Sequence, residues 1–332
     1  MNSRANLPVS VVLVTWNSAS TLRACLAGLA SSFPPAAELV VVDNASEDET
    51  LAIVDELAAK AASSLVIVRN EGNSGFAAGA NRGIERSSQP YVFLLNPDVR
   101  LLPGTLAALH HSLSLAPPDV AAAGGKLMRS AGNELIATNV VDSTGIIMTR
   151  NGRHFDRGAG EIDEGQYDFL GEVFGLTGAA VLFQKSALFE SRIDGEVFDE
   201  DFFAFREDVD LAWRLRGFGF RALYDPDAVA FHRRMVVPER RRELSKIVNF
   251  HSVKNRFLLR IHHADRGWML RCGWPSLLRD CLVAGACLTI EISSAPALLW
   301  VLRNFPKHFH RRREILSRRR ATSKELLEWF SM

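Results

Sequence analysis

Residues 9–17 read Val9-Ser-Val-Val-Leu-Val-Thr15-Trp16-Asn17, an almost unbroken run of β-branched and aliphatic side chains that ends in polar residues. A continuous apolar run of this length is typical of a strand buried on both faces, as in the parallel sheet of an α/β protein. We therefore expect residues 9–15 to form a central strand, with ligand-binding side chains directly after it.

The following eighty residues alternate between helix and strand signals. The predicted elements are a helix over 20–30, a strand over 39–43, a helix over 47–62, a strand over 65–69, a helix over 76–86 and a strand over 91–95. This alternation implies βαβ units and a mostly parallel, Rossmann-like sheet with helices on both faces. Ligands of such sheets bind beyond the carboxyl ends of the strands. Those ends lie at residues 15–17, 43–44, 70–75 and 96–98.

Composition narrows the functional class. The 332 residues carry a net charge of +1, so the chain has no overall basic character that would suggest a nucleic-acid partner. The four cysteines (Cys25, Cys272, Cys281 and Cys287) show no CxxC spacing, and we expect reduced core or interface residues rather than disulfides or a zinc site. The apolar run near the N-terminus is too short for a secretory signal, which favours a cytoplasmic protein.

An acidic pair beside aromatic residues is the strongest chemical signal. The segment reads Phe198-Asp-Glu-Asp-Phe-Phe-Ala-Phe-Arg-Glu207-Asp208-Val-Asp210-Leu-Ala-Trp213-Arg214. A carboxylate in such surroundings loses hydration, and its pKa rises toward the range of a general base. The alternative is that these acids only favour the N-terminus of a helix through the helix dipole.

A loop rich in glycine and asparagine spans residues 70–83 and reads Asn70-Glu-Gly-Asn73-Ser-Gly75-Phe-Ala-Ala-Gly79-Ala-Asn81-Arg-Gly83. Glycines let a backbone approach a ligand closely, and the start of the following helix offers free N–H groups to an anion. The segment matches neither GxGxxG nor a Walker loop. Its simpler explanation is a turn into a helix.

Three further residues are candidates for binding. Asp43 ends a predicted strand, where it could bind a base or ribose or merely cap the next helix. Asp98, in Asn96-Pro97-Asp98, could hold a divalent cation that bridges a diphosphate, or belong to a simple turn. His232 follows a strand-like segment and precedes two arginines, so it is either structural or a metal or phosphate contact.

Together these segments resemble the family 2 glycosyltransferases, and specifically their rhamnosyltransferase-like branch, over roughly residues 8–260. The resemblance rests on six motifs in order, at residues 14–17, 42–46, 73–81, 95–98, 177–179 and 198–211. It implies a GT-A fold and inversion of the anomeric centre. It also implies a catalytic domain over 1–240, with a nucleotide-sugar half (about 8–118) and an acceptor half (about 119–240), followed by a helical C-terminal region over 241–332.

The resemblance also implies residue roles. Asp208 is expected to be the catalytic base, and Asp98 and His232 are expected to hold Mg²⁺ or Mn²⁺. Donor binding is expected from Thr15, Asn17, Asp43, Asn73, Gly75, Gly79, Asn81 and Asn96. The acceptor side is expected to include Gly178, Glu207 and Trp213. Asn96 replaces the first aspartate of the family's Asp-x-Asp motif, as is usual in this branch.

The C-terminal region suggests a membrane surface. Segment 274–302 is apolar, but Asp280, Glu291 and Pro296 divide it into pieces of about ten residues, short of the roughly 20 needed to span a bilayer. It is either an interfacial or hairpin-like amphipathic element or a buried helical pair. Eight basic residues follow within 303–320, which favours the first alternative, an anionic membrane surface bound through residues 274–320.

The expected reaction is therefore transfer of a sugar from a dTDP- or UDP-sugar, dTDP-rhamnose by the branch resemblance, to a saccharide acceptor carried on a lipid. The enzyme would act in cell-envelope polysaccharide synthesis, on the inner face of the cell membrane. Two alternatives stay open. A sugar-1-phosphate nucleotidyltransferase needs a glycine-rich loop after the first strand, where this chain has none. A non-catalytic nucleotide-sugar-binding scaffold at the membrane is the other.

Overall fold

A ten-stranded mixed sheet forms the centre of the molecule. The computed structural model describes residues 6–60, 62–234 and 245–331. The strands are β1 Leu7–Thr15, β2 Ala36–Asp43, β3 Ala62–Arg69, β4 Tyr91–Leu95, β5 Val99–Leu101, β6 Val120–Ala131, β7 Ile136–Ser143, β8 Ile146–Thr149, β9 His154–Asp156, β10 Gly171–Val173, β11 Ala180–Gln184, β12 Arg221–His232 and β13 Phe330–Ser331.

The helices are α1 Ala19–Ala30, α2 Thr50–Leu57, α3 Gly75–Arg86, α4 Thr105–Leu115, α5 Lys185–Glu190, α6 Glu207–Gly217, α7 Lys246–His263, α8 Arg266–Thr289, α9 Ala295–Ser317 and α10 Ser323–Leu327. The main sheet has the order β10-β12-β6-β11-β4-β1-β2-β3, with β5 beside β12 and β7 beside β6. Strands β1 to β4 are mutually parallel, and β11 is inserted antiparallel between β4 and β6. The predicted α/β fold with a mostly parallel sheet and a helical C-terminal region is confirmed.

Both faces of the sheet are covered, as the sequence of β1 required. Val9, Val11 and Leu13 point into one core, which α1, α2 and α4 close. Val12 and Val14 point into the opposite core, beneath α3 and α6. This alternation fixes the register of the strand, because a slip of one residue would exchange its two faces.

One predicted helix is shorter than expected. The prediction placed it over 47–62, whereas α2 spans Thr50–Leu57 and continues as a short 3₁₀ turn, Ala58–Lys60. The cause is Asp48, whose carboxylate accepts hydrogen bonds from the backbone N–H groups of Ala19 (3.1 Å) and Thr50 (3.0 Å). Those bonds hold residues 47–49 against the start of α1, so α2 begins only at Thr50.

The C-terminal region packs onto the catalytic half. Strand β13 pairs with β8, and Phe330 enters an aromatic core that includes Phe174, Trp213 and Trp268. The predicted boundary near residue 240 lies outside the described residues. In the described residues on either side of it, the two parts share one continuous core.

Helices α8 and α9 present apolar side chains to solvent. Within the described ranges, no single helix is long and apolar enough to cross a bilayer. The segments Arg266–Thr289 and Ile292–Ser317 satisfy those criteria only as a pair, with a bend of 110° between them. The expectation of a hairpin-like element agrees with this geometry, whereas a fully buried helical pair does not, since Leu270 is 91% exposed and Trp274 is 75% exposed.

We predict that Gly125→Ala destabilises the fold. A Cβ at Gly125 would lie 1.9 Å from the carbonyl oxygen of Ala228 in the adjacent β12, where the strand pairing is irregular. Backbone cannot move as a flexible side chain would, so a loss of about 1–3 kcal/mol is expected in chemical denaturation. Gly285→Ala is the control, because nothing lies within 4 Å of its Cβ and alanine favours a helix. Equal stability of the two variants would contradict the packing argument.

Candidate active site

The ends of β1 and β2 form a hydrogen-bonded wall. The Thr15 hydroxyl donates to Asp43 Oδ1 (2.9 Å), and the Ser46 backbone N–H donates to Asp43 Oδ2 (2.9 Å). Asn17 Oδ1 accepts from the Glu47 N–H at 2.8 Å. Asp43 is only 1% exposed, so these bonds hold the loop in shape, and its contact with a base or ribose stays a prediction. Trp16, to which no role was assigned from sequence, is 54% exposed beside this wall.

The glycine- and asparagine-rich loop docks onto the segment before Asp208. Asn73 Oδ1 accepts from the Gly75 N–H (2.9 Å), and Gly75 has a φ of 86°. A Cβ at Gly75 would lie 2.5 Å from the Phe203 carbonyl oxygen, which accepts a hydrogen bond from Ala77 N–H at 3.1 Å. Glycine is required here by both its backbone conformation and this close approach.

Gly79 and Asn81 serve packing in this structure. A Cβ at Gly79 would lie 2.6 Å from Val14, so this glycine lets α3 approach β1. The Asn81 side chain donates to the Phe198 carbonyl (2.8 Å) and accepts from the Phe198 N–H (2.9 Å). Its amide is therefore committed to the acidic segment, and donor contact by either residue stays a prediction.

A carboxylate and an imidazole meet beyond β4 and β12. Asp98 Oδ1 lies 3.6 Å from His232 Nε2, and the other ring nitrogen, Nδ1, lies 2.7 Å from Asp142 Oδ2. Burial raises the pKa of Asp98. The charge of His232 acts in the opposite direction, but its effect is smaller than that of burial. The pKa of His232 is raised overall. Burial lowers it, but the hydrogen bond to Asp142 and the charges of Asp98 and Asp142 together raise it by more.

This pair fits a divalent cation. Asp98 Oδ1 is buried and has no hydrogen-bond partner within the described part of the chain, and it faces His232 Nε2. Asp142 accepts from the opposite ring nitrogen, which is the arrangement that orients a metal-binding histidine. Sequence reasoning missed Asp142, because it is 90 positions from His232. A charged residue ending the strand-like Asn139-Val-Val-Asp142 was its only signal.

Asp208 sits at the N-terminus of α6 and faces the same sheet edge. The backbone N–H of Gly178 donates to its Oδ2 (3.1 Å), and that of Val209 donates to its Oδ1 (2.8 Å). The neighbouring carbonyl of Ala179 accepts from Asn96 N–H at 2.8 Å. Residues 178–179 therefore join Asp208 to the turn that carries Asp98.

The turn before Asp208 has a strained backbone, which hydrogen bonds from α7 stabilise. Phe203, Phe205 and Arg206 have φ values of 64°, 70° and 71°, a region that residues other than glycine seldom adopt. The Asn255 amide, from α7, donates to the carbonyls of Phe202, Ala204 and Phe205 at 2.9, 2.8 and 2.7 Å. Asn255 was not found from sequence, where an asparagine in a helix carries no such signal.

Glu207 and Asp208 differ in their hydrogen bonding. Burial, followed by the charges of Asp208 and Asp210, raises the pKa of Glu207 to about 8, and its Oε2 lacks a hydrogen-bond partner among the described residues. Burial also raises the pKa of Asp208, but the N–H groups of Gly178 and Val209 counteract this. Near neutral pH, Glu207 holds a proton, whereas the two N–H groups that donate to the Asp208 carboxyl favour its charged form.

Gly178 lies beside Asp208, whereas Trp213 lies in the C-terminal core. A Cβ at Gly178 would be 3.5 Å from Asp208 Cβ, so this glycine keeps the space beside the base open. Trp213 is 3% exposed and stacks on His263, with ring centres 4.8 Å apart. The ring therefore lies in the C-terminal core, and the acceptor-side role of Trp213 stays a prediction.

We predict that Glu207→Gln stabilises the protein selectively at high pH. The unfolded glutamate ionises near 4.5, while the folded one holds its proton to about 8, so its contribution to stability falls as pH rises between these values. Glutamine removes this loss. The melting temperature of the variant should match wild type at pH 4.5 and exceed it increasingly up to pH 8. A constant difference across this range would contradict the assignment.

Comparison with known proteins agrees with this geometry. The glycosyl transferase family 2 model matches residues 10–136. The poly-β-1,6-N-acetyl-D-glucosamine synthase of Staphylococcus epidermidis is 26% identical over 231 residues, which is 70% of this chain and 50% of the relative. The chain thus spans about half the length of the curated relatives it matches.

Two solved structures share the fold. S. aureus TarS 1-349 in complex with UDP-GlcNAc has a TM-score of 0.53 at 14% identity, over 93% of this chain and 88% of that chain. The mannosyltransferase PcManGT from Pyrobaculum calidifontis, in complex with GDP-Man and Mn²⁺, has a TM-score of 0.50 at 19% identity, over 98% and 88%. At these identities the likeness shows the fold alone. Residues 10–136 are thus similar in sequence to the family 2 glycosyltransferases, and the chain has a GT-A-like α/β fold.

Proposed function

We propose that this protein is an inverting glycosyltransferase that moves a sugar from a nucleoside diphosphate to a hydroxyl of a saccharide acceptor. The observation that carries the proposal is the pair of hydrogen bonds on residues 178–179. One reaches the base, Asp208, and the other reaches Asn96, which begins the turn bearing Asp98. A proton acceptor and a diphosphate-binding turn are thereby fixed to one short loop.

In the proposed reaction, the acceptor hydroxyl attacks the sugar C1 as its bond to the diphosphate oxygen breaks, and Asp208 takes the hydroxyl proton. Attack from the side opposite the leaving group inverts C1. Glu207, holding its own proton, adds no second negative charge that would compete for the acceptor proton. The strained turn positions Asp208, because Asn255 fixes its backbone from α7.

Asp98 and His232 are the residues that would hold a divalent cation. Mg²⁺ and Mn²⁺ both accept carboxylate ligands, and Mg²⁺ commonly needs only one or two of them beside phosphates and waters. Such an ion neutralises charge on the departing nucleoside diphosphate. The GT-A neighbour from P. calidifontis contains Mn²⁺ with its nucleotide-sugar, which supports a metal at this site.

For the donor, we propose a dTDP- or UDP-sugar, with dTDP-rhamnose as the first candidate. The motif order supports the rhamnosyltransferase-like branch, whereas the TarS neighbour binds UDP-GlcNAc. We propose that the nucleoside binds beside the hydrogen-bonded wall of Thr15, Asn17 and Asp43, at the carboxyl ends of β1 and β2. A role in cell-envelope polysaccharide synthesis agrees with the poly-N-acetylglucosamine synthase relative.

We predict that Asp208→Asn lowers transfer by roughly 10²–10⁴-fold, the contribution of a general base, while donor binding is kept. Binding is measured as the rise in melting temperature with dTDP, UDP, GDP and their sugars, with and without Mg²⁺ or Mn²⁺. Transfer is measured by release of the nucleoside diphosphate. Asp55→Asn, which removes an exposed carboxylate on α2, is the matched control.

Three outcomes decide between the proposals. Unimpaired transfer by Asp208→Asn would defeat the assignment of the base. Stabilisation by UDP-sugars but not by dTDP-rhamnose would replace the donor and leave the reaction intact. If no nucleotide stabilises the wild type with either metal, the proposed donor site is wrong.

We also propose that α8 and α9 lie on the anionic cytoplasmic face of the cell membrane, where a lipid-linked acceptor would be presented. Support comes from their exposed apolar side chains, Met269, Leu270, Trp274, Leu277, Leu278, Leu282, Leu288, Ile290, Ile292, Leu299, Leu302, Phe305 and Phe309. The exposed basic side chains of Arg303 and Lys307 lie among these apolar side chains. Apolar burial at an interface with nearby positive charge favours anionic lipid.

The double substitution Leu278→Glu and Leu282→Glu should release the protein from vesicles of anionic lipid in a sedimentation assay. Each change replaces a side chain that would enter the interface (56% and 66% exposed) with a charge, without opening the core. Leu115→Glu, on α4 and 72% exposed, should leave binding unchanged. Equal vesicle binding by both variants would show that this surface does not contact lipid.

A further inference from the structure

A second group of metal-binding side chains lies away from the candidate active site. Asp199 Oδ2, His262 Nε2 and His308 Nδ1 come from the segment before α6, from α7 and from α9. Their separations are 3.5 Å (Asp199 to His262), 3.6 Å (Asp199 to His308) and 3.1 Å (His262 to His308). All three side chains are fully buried, and their ligand atoms lie close enough together for one ion.

These separations suit a small tetrahedral ion. Zn²⁺ binds nitrogen and oxygen at about 2.0–2.2 Å, which places neighbouring ligand atoms about 3.4 Å apart. A point about 2.0 Å from all three atoms therefore exists inside the triangle they form. Asp199 Oδ2 makes no hydrogen bond in the described ranges, although Arg311 Nε lies 3.3 Å from it as an ion-pair partner.

Each histidine has a carboxylate behind it. Asp210 Oδ1 lies 2.8 Å from His262 Nδ1, and Asp201 Oδ2 lies 3.3 Å from His308 Nε2. A proton on His262 Nδ1 satisfies the first contact and leaves its Nε2 lone pair facing the triangle. A carboxylate hydrogen-bonded to the outer ring nitrogen orients the imidazole of a metal site and raises its basicity. Asp210 is placed in this way behind His262, whereas Asp201 lies at ion-pair distance from His308 Nε2, which makes no hydrogen bond in the described ranges.

We propose that Asp199, His262 and His308 bind a structural zinc ion, with Asp210 and Asp201 as its outer support. The neighbouring group Asp210, His262 and His263 is not the site, because its 2.8 and 2.9 Å contacts are ordinary hydrogen bonds to one oxygen. Three protein ligands leave a fourth position on the ion for water or another group.

The competing arrangement contains a proton instead of a metal. If His308 carries protons on both ring nitrogens, it donates to His262 and Asp201, and Arg311 Nε (3.3 Å) is the partner of Asp199 Oδ2. In that state the two histidines form a charged hydrogen-bond chain. The two arrangements differ in the number of zinc ions bound per chain, one in the first and none in the second, and this number can be measured directly.

The ion would join three separate parts of the chain. It ties the two long C-terminal helices to residue 199, eight positions before the strained turn ends at Glu207. The same proposal gives a reason for burying the rings of His262 and His308 where an apolar core would otherwise suffice. Its role is to fix the C-terminal region on the catalytic half, separately from any ion at Asp98 and His232.

The test counts zinc in the full chain carrying Asp98→Asn, so that the candidate active-site metal does not contribute. We expect about one tightly held zinc ion per chain by elemental analysis after dialysis, and a rise in melting temperature when zinc is returned to the chelator-treated protein. Adding His308→Gln should remove both effects. His310→Gln, an exposed histidine on the same helix, should remove neither.

Asp201→Asn covers the case in which His308→Gln does not fold. Loss of an outer carboxylate should weaken zinc binding by roughly 10–100-fold, measured by competition with a chromophoric chelator. Absence of tight zinc from the Asp98→Asn protein would overturn the proposal. Zinc retention by His308→Gln equal to that of His310→Gln, or unchanged zinc affinity in Asp201→Asn, would overturn it as well.

Discussion

The backbone of residues 203–206 is the constraint on which the site depends. Three residues there occupy the left-handed region, each at a cost on the order of 1–3 kcal/mol, and the conformation persists only if its surroundings dictate it. Asn255 supplies those surroundings from α7, and the first turn of α3 supplies them through Ala77. The direction of Asp208 is therefore set by Asn255, 47 positions later in the chain, and by Ala77, 131 positions earlier.

Behind this turn lies an interior of unusual polarity. Arg214 donates to Asp210 at 2.9 Å, and both side chains are almost fully buried. Breaking such a pair leaves a charge without compensation in a poorly polarisable medium, which is far more costly than the pair itself is stabilising. His262 and His263 share the remaining oxygen of Asp210. Helix α6, which carries Asp208, is thus held by electrostatic contacts along its buried side.

The parallel half of the sheet was predictable because its signals are local. Strands such as β4 are short apolar runs bounded by turns, and the motifs at residues 14–17, 42–46 and 95–98 fall at the carboxyl ends of parallel strands, where topology brings them together. Asp142 and Asn255 could not be found in this way, since their partners lie far away in sequence. Trp213, by contrast, was singled out from the sequence for the acceptor side but lies in a core. An aromatic ring near an acid gives the same pattern whether it faces a substrate or, as here, a core closed by β13. Asn81 was expected to bind the donor, but its side-chain amide is hydrogen-bonded to the backbone of Phe198.

The pairing of β13 with β8 bears on how the molecule acquires its shape during synthesis. Met148 and Phe330 are neighbours in a sheet although they are about 180 positions apart, so this contact closes one of the longest loops available to the chain. Translation proceeds from the N-terminus, and the aromatic core around Phe174 stays open to water until Phe330 has been made. During that interval the nascent catalytic half exposes apolar surface, and chaperones or a nearby lipid surface are what could cover it.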